Sequence, residues 1–411
     1  MSTGMKTQKE ICRKVAIILA SDDKGSQKVF GIPTVRRLTL LAQRLGLEEI
    51  HVMGHTKALQ PILSDLVPQE RFRPVEDPGS LEQTIQGLPL DQSQKVLVLK
   101  ANQIIDRPSL ARLFDAENPS CPYSYMQAQG ENGPERIYLS TPSHLVPILR
   151  SLWSGSSDLP VPGKSELVQG TDGLPDALDG GEEQVRIVEG KLMNALAAQT
   201  AADDGFLARH LSRRVSRFMS WRIVRTPVTP NQITLGGAGI GMIGALLLAL
   251  GGYWPQLFGS LLFLFCIIVD GVDGEIARLK MRESPFGHHL DIIADNIVHI
   301  AIFAGLALGL YRGSGDPVYL HLLWLLLGGF ALCGIAVYQC ILKRSPGELE
   351  QSGLTLKIMA LMSNRDFAYI LVILALVGRV HWFLIGAAGG TYLFAATLWL
   401  ISFYEKRAIA D

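Results

Sequence analysis

Four aspartates in an apolar neighbourhood are the residues of this chain best suited to chemistry. Asp270 and Asp273 lie three apart, and Asp291 and Asp295 four apart. On a helix either spacing puts both side chains on one face. Both pairs sit in long apolar runs, where an ionised carboxylate is costly unless it pairs, lines water or binds a cation. The link between the runs is short, so the two helices would be antiparallel neighbours with the pairs converging at one end. Converging carboxylates repel one another without a counter-cation, and few lysines or arginines share those faces. Hard oxygen donors suit Mg²⁺ or Mn²⁺, and this set is large enough for two ions. With coordination positions left open, the ions would polarise the phosphoryl oxygens of a substrate. A structural polar network and a cation-transport site are the competing readings. His288 and His289 lie close by, but the carboxylates suffice without them.

The residues around the aspartates sharpen this picture. Gly274 is i+4 and Ala277 i+7 from Asp270, so the carboxylate face is stripped of side chains where a ligand would approach the backbone. Arg278 can meet a carboxylate or phosphate bidentately. Gly287 allows a tight turn before the second pair.

These residues need two membrane helices to hold them, and the rest of the chain divides accordingly. The 411 residues carry a formal net charge of zero, so there is no global basic excess and nucleic acid is not expected as a partner. The N-terminal half is charged and rich in Pro and Gly, whereas the C-terminal half is dominated by apolar runs. Six of these approach the roughly 20 residues a bilayer requires: Ile233–Gly252, Leu257–Leu279, His288–Leu310, Val318–Leu342, Phe367–Val380 and His381–Tyr404. Lys280, Arg282, Lys343, Arg344, Lys357, Arg365, Lys406 and Arg407 fall on one side of these runs. The positive-inside rule then puts the N-terminal domain and the C-terminus in the cytoplasm of a multi-pass protein of the inner or cytoplasmic membrane. The segment MSTGMKTQKEICRK lacks a signal-type apolar stretch. The five cysteines, Cys12, Cys121, Cys266, Cys333 and Cys340, form no metal-spaced pair and read as small buried hydrophobes. Ahead of the first run, Asp203–Arg225 places Phe206, Leu207, His210, Leu211, Val215, Phe218, Met219 and Ile223 largely on one helical face and crowds arginines onto the rest. That pattern describes a helix lying in the headgroup layer.

In the N-terminal half, Lys14–Ser21, Glu49–Met53, Lys95–Lys100 and Arg136–Leu139 read as strands, with helices over Thr34–Leu45 and Pro142–Trp153. Alternation of this kind predicts an α/β domain with a mostly parallel sheet over residues 13–153. The Gly-, Ser-, Pro- and Asp-rich stretch beyond it makes 154–202 a linker and connecting segment. Residues 203–411 are then the interfacial helix and a six-helix, all-α transmembrane domain.

The pattern Asp270-x2-Asp273-Gly274-x2-Ala277-Arg278-x8-Gly287-x3-Asp291-x3-Asp295 resembles the signature of the CDP-alcohol phosphotransferase (CDP-alcohol phosphatidyltransferase) family at every fixed position. The resemblance runs from Asp203 to the C-terminus and takes in the segment Thr229-Pro230-Asn231-Gln232-Ile233-Thr234. It implies metal-dependent transfer of a substituted phosphate from a CDP-alcohol to an acceptor alcohol, with release of CMP, as in phospholipid or inositol-phosphate-type phosphodiester synthesis. It also implies a homodimer. Residue by residue, Asp270, Asp273 and Asp291 would be metal ligands, and Asp295 both ligand and general base. Asn231, Gly274, Ala277 and Arg278 would contact the CDP moiety. Arg365 is the candidate for the acceptor's phosphate.

The N-terminal strands resemble a nucleotidyltransferase domain, as found fused ahead of this membrane domain in di-myo-inositol phosphate phosphate synthase-type enzymes. Such a domain cradles a nucleotide triphosphate on a Gly-rich loop with a basic residue. Here the loop is SDDKGSQKVFGIP, with only Gly25 and Gly31, and with Lys24 or Lys28 in place of an arginine. Where a metal-binding aspartate would follow the third strand, the chain has Lys100-Ala101-Asn102. The expectation is a degenerate domain. The alternatives are a bifunctional enzyme with CTP-dependent cytidylyltransferase activity and a cation-binding membrane transporter.

Overall fold

The structure, a computed structural model, describes residues 14–47, 49–77, 79–92, 94–115, 123–128, 135–156, 166–170, 174–201, 211–343, 355 and 366–410. It divides into two units, Met1–Leu196 and Ala197–Asp411.

The strands of the first unit are β1 (Val15–Ala20), β2 (Lys28–Val29), β3 (Ile32–Pro33), β4 (Glu49–Gly54), β5 (Phe72–Pro74), β6 (Val96–Lys100), β7 (Gln103–Ile104), β8 (Tyr123–Ala128), β9 (Glu135–Ser140), β10 (Glu166–Leu167) and β11 (Asp176–Ala177). Its helices are α1 (Thr34–Arg44), α2 (Gln60–Leu63), α3 (Ser80–Gln86), α4 (Arg107–Asp115), α5 (Leu145–Ser154) and α6 (Glu182–Ala201). Seven strands form one sheet in the order β10-β8-β9-β6-β1-β4-β5. β1 runs parallel to β4 and β6, while β9 is antiparallel to β6 and β8. All six residues of β1 are buried, which is why its sequence shows no polar alternation. On one face of the sheet Ile17, Leu19, Met53, Val98 and Tyr138 pack against Leu81, Ile148 and Leu149 of the covering helices.

Within the stretch expected to be a linker, the described residues include two short strands and a helix. β10 pairs with β8 and β11 with β7, and the division between units falls near the end of α6. Backbone pairing at a strand edge does not need apolar side chains, so polar, Gly-rich sequence concealed these strands. Val188, Leu192, Ala195 and Leu196 of α6 are buried and share one helical face, a signal masked by the charged residues between them.

The second unit is helical: α7 (Arg213–Ile223), α8 (Pro230–Leu250), α9 (Tyr253–Leu279), α10 (Pro285–Ser314), α11 (Val318–Val337), α12 (Phe367–Leu376) and α13 (Val380–Ala410). Among the described residues, α8, α9, α10, α11 and α13 each include a stretch long and apolar enough to cross a bilayer. The fifth expected span corresponds to α12, whose 10 residues cover about 15 Å, half of the hydrocarbon thickness. A glycine at a close crossing brings α8 and α10 together. A Cβ on Gly305 would stand 2.2 Å from the Ala245 carbonyl oxygen, so only glycine permits this approach. The resulting core joins Leu248, Phe263, Val298, Ile302 and Leu371. Lys357 and Arg365 lie outside the described residues.

Candidate functional site

Capping fixes where the site-bearing helices begin. Thr229 caps α8 by accepting from Gln232 N at 3.4 Å, and Gln232 Oε1 accepts from Thr229 N at 3.0 Å, with Pro230 in the first turn. Ser284 caps α10 by accepting from Gly287 N at 3.0 Å, again with proline following. These two helix starts are adjacent: a Cβ on Gly287 would meet Asn231 Oδ1 at 3.0 Å and Ser284 Oγ at 3.1 Å. The glycine therefore lets two polar oxygens gather there, and Ser284 joins Asn231 as a residue the motif did not single out.

α9 carries Asp270 and Asp273, and α10 carries Asp291 and Asp295. One carboxylate oxygen from each of Asp270, Asp291 and Asp295 lies within 4.8 Å of the other two. These three half-buried acids are the donor set a hard divalent cation requires, so the residues present fit Mg²⁺ or Mn²⁺. Beneath them, Thr234, Gly237, Ala238, Cys266, Asp270 and Asp295 line a cavity of about 10 Å³, close to the room one water needs.

The fourth aspartate departs from the expected four-way convergence. Asp273 is buried and its Oδ2 accepts from the Thr234 hydroxyl instead of joining the three-carboxylate group. The cause is helical phase: three residues subtend 300°, so Asp273 is rotated about 60° from Asp270 and faces α8. It remains within electrostatic reach of Asp270 and Asp291.

The small-residue face also takes a more specific form. The Arg278 guanidinium lies over Gly274, with Nη2 3.4 Å and Nη1 3.5 Å from where a Cβ would stand. Ala277 is half-buried one turn further on. His288 and His289 are exposed, and His289 Nδ1 is 2.6 Å from the Pro285 carbonyl oxygen.

Two charged residues that the spacing arguments passed over attach α7 and its following link to α9. Glu275 is buried and accepts from Arg213 Nη1 at 3.1 Å, Ser216 Oγ at 2.9 Å and Ser220 Oγ at 2.6 Å. Lys280, read from sequence as an anchoring charge, is buried and donates to the carbonyl oxygens of Thr226 at 2.6 Å and Val228 at 3.1 Å. Burial, and then Arg282, hold its ammonium below the usual lysine range. The opposite face of α7 exposes Val215 and Phe218, with Arg222 stacked on Phe218 at 5.2 Å. Arg209 and the residues before it in the expected interfacial helix lie outside the described residues.

In the first unit, the polar groups at the expected nucleotide loop face one another. Lys24 Nζ is 3.2 Å from Asp179 Oδ1, which also accepts from Asn102 Nδ2 at 3.0 Å. Lys100 Nζ pairs with Glu135 Oε1 at 2.6 Å. A Cβ on Gly25 would stand 2.7 Å from Ala101 Cβ, so that glycine serves loop-to-loop packing. Lys28 is exposed.

Residues 227–401 match the CDP-alcohol phosphatidyltransferase family. A bifunctional IPC transferase and DIPP synthase of Aquifex aeolicus is 38% identical over 107 residues, 26% of this chain and 24% of that protein. A phosphatidylinositol phosphate synthase of Streptomyces avermitilis is 26% identical over 202 residues, 47% of this chain and 75% of that protein. The crystal structure of Mycobacterium tuberculosis phosphatidylinositol phosphate synthase with CDP-DAG bound is 19% identical, covers 47% of this chain and 92% of that one, and has a TM-score of 0.31. Against the bifunctional relatives the matches span only 24% to 31% of their length. The signature residues, the helices that carry them and the carboxylate group all fall inside residues 227–401, the stretch that matches the CDP-alcohol phosphatidyltransferase family.

Proposed function

We propose that the chain is an integral-membrane, divalent-metal-dependent transferase that moves a substituted phosphate from a CDP-alcohol to an acceptor alcohol and releases CMP. The observation that carries this reading is the meeting of Asp270, Asp291 and Asp295 from two successive membrane helices within the family-matched stretch. Asp270, Asp291 and Asp295 would hold the metal, and Asp273 would join them as a ligand on turning from Thr234. Bound Mg²⁺ or Mn²⁺, as two ions, would offset the carboxylate charge and draw electron density from the phosphoryl oxygens. Asn231, Gly274, Ala277 and Arg278 bind the donor, and Ser284 joins them by its position beside Asn231. Arg365 remains the candidate for an acceptor phosphate. Asp295 takes the acceptor's hydroxyl proton as the alcohol oxygen bonds to the β-phosphorus. The bond from that phosphorus to the bridging oxygen breaks, and CMP leaves with the oxygen and its electron pair.

The names of the relatives favour an inositol phosphate acceptor. The first unit and the end of α13 lie on the cytoplasmic face in this reading, by the distribution of basic residues, and the enzyme is a homodimer by family resemblance. The test is CMP release by the full chain in nanodiscs given CDP-diacylglycerol or other CDP-alcohols, candidate acceptors and Mg²⁺ or Mn²⁺. CMP formation that needs the metal supports the assignment. A cation transporter would form none with any pair.

A second reading adds synthesis of the donor from CTP, and the bifunctional relatives favour it. The pairing of Lys24 with Asp179 and of Lys100 with Glu135 weighs against it, because these cations are already neutralised. Full-length Asp295→Asn given CTP and an alcohol phosphate decides: pyrophosphate release would establish the second activity.

A further inference from the structure

Arg278 and Glu275 are one helical turn apart on α9, a spacing at which opposite charges ordinarily pair. They do not pair here. Both Glu275 oxygens are taken by α7: Oε1 by Arg213 and Ser216, Oε2 by Ser220. The three donors sit at i, i+3 and i+7 and so form one polar stripe on that helix. The Glu275 side chain is 4% exposed and that of Arg213 19%, so little water competes for either. Arg278 is left lying over Gly274, and its buried Nε has no hydrogen-bond partner among the described residues. Glu283, Glu275 and Asp273 supply the negative charge acting on it, and Arg213 the opposing charge.

We propose that Arg213, Ser216 and Ser220 are positioning residues that hold Glu275 off Arg278 and so keep its guanidinium available to the phosphates of the donor. The proposal rests on the assignment of Arg278 to donor binding. It gives α7 a role in the site without touching substrate. When the whole stripe is removed, Arg213 included, Glu275 is free to turn to Arg278 one helical turn away and competes with the incoming pyrophosphate.

The test uses the full chain in nanodiscs, with CMP binding measured by calorimetry and phenylglyoxal modification of Arg278 measured by mass spectrometry. In Arg213→Ala/Ser216→Ala/Ser220→Ala, CMP binding should weaken about tenfold, as expected for loss of a charge-assisted contact, and Arg278 should react more slowly. Adding Glu275→Gln should restore both. A merely structural clamp predicts the opposite, because Glu275→Gln would loosen α7 further and leave binding weak. Single Arg213→Ala, with and without Glu275→Gln, replaces the triple variant should that one fail to fold. Failure of Glu275→Gln to restore binding and reactivity overturns the proposal. If the wild type binds no CMP, the donor-binding role of Arg278 falls, while the modification pattern still decides the clamp: recovery with Glu275→Gln supports it, and no recovery overturns it.

Discussion

At the scale of single residues, the four signature aspartates occupy different environments. Asp270, Asp291 and Asp295 share a half-buried group, whereas Asp273 is buried and held by Thr234. With Asp295 as base, Asp295→Asn should lower turnover by about 10²- to 10⁴-fold and leave CMP binding intact, because the amide keeps the shape and loses the proton acceptor. Full turnover in that variant would remove the assignment. Asp270→Asn should instead weaken Mn²⁺ binding and CMP binding together in calorimetry. Unchanged Mn²⁺ affinity there would argue against a ligand role.

Elements set the positions of those residues, and two of them permit direct tests. α8 and α10 approach through Gly305, where a methyl group would collide with the Ala245 carbonyl. Gly305→Ala should therefore force the helices apart at a cost of about 1–3 kcal/mol. In a unit of this size that lowers the melting temperature by several degrees, and the shift should be accompanied by weaker Mn²⁺ binding, since α10 carries two of the carboxylates. In the first unit, His51 on β4 is buried with neither ring nitrogen hydrogen-bonded among the described residues. Burial, then Arg71, hold its pKa below the usual histidine value, with Arg73 adding to this and Glu49 opposing it. The unfolded chain thus binds a proton first as pH falls below about 6.5. Stability of this unit should decline from that pH downward through the folded-state value. The loss on going from pH 7.5 to pH 5.5, followed by thermal melting, should be smaller in His51→Leu; an equal loss in that variant would show that other groups are responsible.

For the molecule as a whole, parity of membrane crossings decides where the chain ends. Only residues 377–379 separate α12 from α13, and Gly378 there has φ +71°. So short a connection makes the two helices an antiparallel pair, which returns the chain to the side from which α12 starts. With α12 taken as a sixth crossing, as the proposed topology has it, the first unit and the end of α13 fall on the same side. Cysteine-accessibility labelling of single cysteines placed in the first unit and at the end of α13 should show both reacting from the cytoplasmic side. Reaction from opposite sides would leave α12 as a half-crossing.

Which residues are suited to chemistry, and which helices carry them, could be read from the sequence, because aspartates in apolar runs and a strict residue spacing are local signals. The strands β1, β4 and β6 were equally legible, since buried parallel strands are continuous apolar runs. Tertiary structure decided which aspartates meet, because rotation about the axes of α9 and α10 and the partner supplied by α8 are not properties of a spacing. It also decided that Glu275 and Lys280 serve α7 and its link, since a partner 54 or 62 residues away leaves no periodic trace. For the same reason the short strands beyond residue 154 went unread. They exist only because a neighbouring edge offers its backbone groups.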